Sequence, residues 1–84
     1  MKRTEILDAI YEAVAEAYDI DKSILTEESA CVNLPNHSSS KVLKTALFIG
    51  ENLDQDEDLS FAEVADCQNL GEVADMVIAK YGLV

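Results

Sequence analysis

Apolar residues recur along this chain at helical rather than strand spacing. Near the start, Leu7, Tyr11, Val14 and Tyr18 fall at i, i+4, i+7 and i+11, and Ile6, Ile10, Ala13 and Ala17 widen that stripe. Glu5, Asp8, Glu12 and Glu16 occupy the other side. The pattern predicts a first helix from Thr4 to about Asp19, with Thr4 as its cap and the tyrosines at the core edge. A second helix is expected from Ser38 or Ser39 to about Leu53, with inward rows 42/46/49/53 and 43/47 and a weak point at Gly50. Ser60 and Glu63 spell an S-x-x-E capping box, which opens a short third helix with Phe61, Val64 and Ala65 facing in. Asn69 and Glu72 repeat that logic for a fourth helix, where Leu70, Val73, Val77 and Tyr81 form the stripe and Gly82 the stop.

The connections carry as much information as the helices. Asp21 to His37 holds Ile24, Leu25, Val32 and Leu34, with Ile20 just before it. That is too apolar for a free linker. It predicts an ordered loop laid across the bundle, with one helical turn after Asp21. Pro35 pushes Leu34 toward extended backbone, so no helix runs through. "ENLDQDED" reads as a solvated acidic loop. No strand-like alternation of convincing length and no internal repeat is present. The expected fold is all-α: one domain over residues 1–84, a four-helix bundle with a long first loop and a short third helix.

Charge narrows the partners. Seventeen acids against six Lys and Arg give a formal net charge of −11. Such a surface repels nucleic-acid phosphates and anionic lipid and suits basic patches on other proteins. The opening "MKRTEILDAIYEAV" has no signal-peptide core, and no apolar run is long enough to span a membrane. Two cysteines, Cys31 and Cys67, make no disulfide framework, so reduced thiols and a cytoplasmic setting are expected. With His37 they supply too few ligands for a structural zinc site.

Candidate chemistry gathers at "NLPNHSSSK", where the only histidine precedes Ser38, Ser39 and Ser40. A Ser-His hydrolase is disfavoured: His37 and Ser38 are sequence neighbours, and no G-x-S-x-G elbow exists. A serine there can also be a plain helix cap. A calcium reading competes further on. Counted as an EF-hand loop, "NLDQDEDLSFAE" (residues 52–63) places Asn52, Asp54, Asp56, Asp58 and Glu63 at ligand positions, but Glu57 stands where the turn calls for glycine. An unmodified protein-interaction bundle is the remaining alternative.

Taken together, "YDIDKSILTEES", "LPNHSSSK" and "FAEVADCQNLGEVADMVIAKYG" resemble the acyl carrier and peptidyl carrier protein family over nearly the whole chain. The first looks like the segment after the family's helix I. The second stands where the family has L-G-x-[DH]-S-L, and the third looks like its last two helices. The resemblance implies a 4'-phosphopantetheine arm, joined by a phosphodiester to a serine at the start of the second helix. It implies a phosphopantetheinyl transferase and acyl- or aminoacyl-handling enzymes of fatty-acid, polyketide or related synthesis as partners. It implies no catalysis by the carrier itself, and a monomer. The histidine-serine pair and the upstream spacing make Ser38 the preferred attachment residue; counting back from the apolar rows of the helix gives Ser39. Val42, Ala46, Phe61, Val64 and Val73 are then expected around the arm. Two family positions are replaced, by Pro35 and Ser39, and Lys41 and Lys44 stand where the family commonly shows acids.

Overall fold

The computed structural model describes residues 1–83. Four α-helices carry the fold: α1 (Arg3–Tyr18), α2 (Ser39–Asn52), α3 (Phe61–Ala65) and α4 (Leu70–Tyr81). Among the described residues there is no strand. α1 packs against α2 and α4, and α3 leans on α2. One apolar cluster joins all four, with Ile6, Ile10, Val14, Ala46, Ile49, Leu70 and Val77 at its centre. Each Ile, Leu or Val side chain buried this fully contributes about 1.5–3 kcal/mol.

The helix ends follow local chemistry. Ser60 accepts from the Glu63 amide at 3.2 Å, and Glu63 Oε1 accepts from the Ser60 amide at 2.9 Å, so the capping box is complete. Asn69 accepts from the Glu72 amide at 2.9 Å, and Gly82 closes α4 at φ 65°, a left-handed geometry that costs glycine little. The start of α1 departs from expectation. Thr4 already lies inside the helix, one residue beyond Arg3, and Lys2 stands at the cap position. Glu5 closes that end by accepting from the Lys2 amide at 2.9 Å.

The long first loop is ordered by what it touches. Asp21 accepts from the Ser23 amide at 2.9 Å and caps a single 3-10 turn, Lys22–Ile24. A second such turn spans Cys31–Asn33, and Leu34 before Pro35 is extended as anticipated. Leu25 is the buried anchor, whereas Ile24 and Val32, read as anchors from sequence, are exposed. The carbonyls of Ser29 and Glu27 accept from the Leu70 and Gly71 amides, both at 2.9 Å. They satisfy the first two donors of α4, which no helical turn can reach. Arg3 then clamps loop and helices together through Glu27 at 2.7 Å and Asp75 at 2.6 Å.

On α2 the two sequence rows separate. Val42, Ala46, Ile49 and Leu53 are buried, while Leu43 (47% exposed) and Leu47 (39%) face outward. On α3 only Val64 is buried; Phe61 remains 41% exposed and Ala65 is exposed too.

Candidate functional site

The serine junction is built by the cap of α2. Ser38 is extended at φ −155°, ψ 160°, and its Oγ accepts from the Lys41 amide at 3.3 Å. Its carbonyl accepts from the amides of Lys41 and Val42, starting the helical ladder. Ser39 is the first residue of the helix. All three serines, 38 to 40, are exposed. The amides of Ser39 and Ser40 have no helical carbonyl before them to bond, so this end presents positive potential to whatever sits on the serines.

Beside the junction lies a cavity of about 390 Å³. Val32, Val42, Phe61, Val64, Leu70 and Val73 make most of its apolar wall. His37, Ser39, Gln68 and Asn69 are the polar residues that line it. Ser39 therefore borders the cavity and Ser38 does not. Of the side chains expected near an arm, Val42, Phe61, Val64 and Val73 line this space, while Ala46 is packed into the core.

His37 is tied elsewhere than to a serine. The Tyr18 hydroxyl and His37 Nδ1 share a hydrogen bond of 2.8 Å, and the rings stack with planes 9° apart. Tyr18 is only 2% exposed, not the core-edge residue its place on the stripe suggested. Burial, with the Cys31 thiol beside it, pushes its phenol far above the usual range. Lys41 places its ammonium 5.6 Å from the same ring, within cation–π reach. The two thiols, Cys31 and Cys67, line the cavity and are free; burial raises both above the ordinary thiol value. The stripe placed Tyr18 on the core-facing side of α1 but only at its edge. Its pairing with a loop residue nineteen positions on carries no periodic signal.

The acidic loop does not assemble as the calcium count required. Glu63 is spent on the α3 cap and on Lys80, whose Nζ donates to its two oxygens at 2.9 and 3.0 Å. Asn52 turns its amide to the Ala9 carbonyl at 3.1 Å, joining α2 to α1. Among the described residues, no three His, Cys, Asp or Glu side chains converge as metal ligands. None of these helices is long and apolar enough to cross a membrane. Comparison with protein-family models, curated proteins and solved structures finds no match to the chain.

Proposed function

We propose that this protein is an acyl-carrier-type bundle. It tethers an acyl or aminoacyl group through a 4'-phosphopantetheine arm on Ser38 or Ser39 and presents it to partner enzymes. The observation that carries the reading is the junction itself: exposed hydroxyls at the start of α2, opening onto an apolar-walled cavity of about 390 Å³. The residues fit the group. A phosphodiester on either serine meets the positive end of α2, and the cavity offers an apolar surface for chain or cargo. The arm would supply the thiol that holds the cargo as a thioester, so neither Cys31 nor Cys67 is needed for it.

The two serines divide the support. Sequence spacing favours Ser38. The cavity favours Ser39, which is among its lining residues, whereas the Ser38 hydroxyl is engaged in capping. The protein would act as a cytoplasmic monomer with no catalysis of its own. Its partners would be a phosphopantetheinyl transferase and acyl- or aminoacyl-handling enzymes. Incubation with coenzyme A and a broad-specificity transferase, followed by intact mass measurement of wild type, Ser38→Ala and Ser39→Ala, tests the reading and assigns the residue.

One observation favours a second reading, an unmodified interaction module. Leu43 and Leu47 stand exposed one turn apart on α2, beside Lys44. That face can dock a protein whether or not an arm is present. Absence of the mass increment, under conditions that modify a control carrier, leaves this second reading standing.

A further inference from the structure

Three groups from separate segments converge on one buried phenol. Tyr18, in the last turn of α1, holds His37 by a 2.8 Å hydrogen bond and a near-parallel stack. Lys41, in the first turn of α2, sits over its ring at 5.6 Å, and Cys31 of the preceding loop lies alongside. His37 is exposed, adjoins Ser38 directly and forms part of the cavity wall. Leu34, before this turn, is held by its amide to the Cys31 carbonyl at 3.0 Å and packs against the core. Asn36 is left-handed at φ 58°, and Ser38 is fully extended. Fixing the imidazole therefore fixes the backbone that presents the serines.

We infer that Tyr18 and His37 are positioning residues for the attachment site: the Tyr18 hydroxyl donates to His37 Nδ1 and holds the serine-bearing turn at the cavity mouth. The inference rests on the carrier reading for its functional half. The imidazole is then the tautomer with its proton on Nε2, because Nδ1 accepts. Neither side chain touches the reacting atoms. Their effect is on where the serine hydroxyls stand when a transferase approaches.

Two variants break the bond from opposite sides. Tyr18→Phe removes one oxygen and keeps the buried ring. His37→Ala acts at the surface and leaves the core intact. Nitrogen NMR of the wild-type imidazole should show Nδ1 unprotonated and hydrogen-bonded, a signature lost in Tyr18→Phe. Amide exchange at Lys41 and Val42 should accelerate about fivefold in both variants, while Val73 to Val77 in α4 stays unchanged. With coenzyme A and the transferase, kcat/KM for arm transfer should fall by about the same factor in both.

Unchanged exchange at Lys41 and Val42, or an Nδ1 that carries the proton in wild type, overturns the inference. So does an undiminished transfer rate in variants of a wild type that is itself modified. A wild type that takes no arm, beside a control carrier that does, overturns the carrier reading and the functional half of this inference with it. The two failures are thus distinguishable.

Discussion

Glu63 shows how much one side chain can settle. The Ser60 amide, and after it the Lys80 ammonium, hold its carboxyl below the ordinary carboxylate value. A carboxyl depressed in the folded state stabilises the fold above its unfolded value, about 4.5, and loses that contribution as pH falls through the folded value. Urea midpoints of wild type and Glu63→Gln should therefore differ at neutral pH and converge as pH falls below that unfolded value. A constant gap across that range would contradict the ion-pair and cap geometry. The cysteines give a second check. Burial raises both thiols, so alkylation by iodoacetamide at pH 8 should be slower than for glutathione and reach that rate only in denaturant. Ser60, Glu63, Asn69 and Gly82 were legible in sequence because caps are made within four residues. Thr4 was not, because Glu5 could close the helix from one residue later and let it begin at Arg3. Tyr18 and His37 were not, because their contact spans nineteen positions.

At the scale of elements, two glycines on helices should respond oppositely to alanine. A Cβ at Gly50 would meet Asp58 Oδ1 at 2.9 Å, the free end of an exposed side chain that can swing away. Alanine gains about 1 kcal/mol of helix propensity there, so Gly50→Ala should leave stability unchanged or raise it. A Cβ at Gly71 would stand 3.4 Å from Glu27 Cβ and 3.3 Å from both Glu27 Oε1 and Asn69 Oδ1. That loop cannot retreat: its Glu27 carbonyl accepts from the Gly71 amide and its carboxylate is held by Arg3. Gly71→Ala should lower stability by about 1 kcal/mol. Chemical denaturation of both variants checks the contrast. Helix number and order were readable from periodicity and caps. The side of α2 that faces the core was only half readable, because 42/46/49/53 and 43/47 are both helical rows. The placement of α1 and α3 against α2 chose the first and left Leu43 and Leu47 outside.

Across the whole molecule, eleven net negative charges repel one another within a small volume. Arg3, Lys22 and Lys80 answer some of them in exposed or half-exposed ion pairs, which contribute little each. Screening should therefore help more than it harms. Raising sodium chloride from about 10 mM to about 0.5 M should lift Tm by about 5 °C, the shift that 1 kcal/mol gives a chain of this size. A falling Tm would mean that the ion pairs outweigh the net repulsion. The acidity and the helical class were visible in composition and pattern. The cavity was not, because Val32, Val42, Phe61 and Val73 come from four separate segments that only tertiary packing brings together. That cavity beside the serine junction is the physical basis of the proposed carrier function. Its most direct test is the intact mass of the protein after incubation with coenzyme A and a phosphopantetheinyl transferase. A single phosphopantetheine increment is expected, abolished by one of the two substitutions Ser38→Ala and Ser39→Ala and retained in the other. An unmodified mass beside a fully modified control carrier would contradict it.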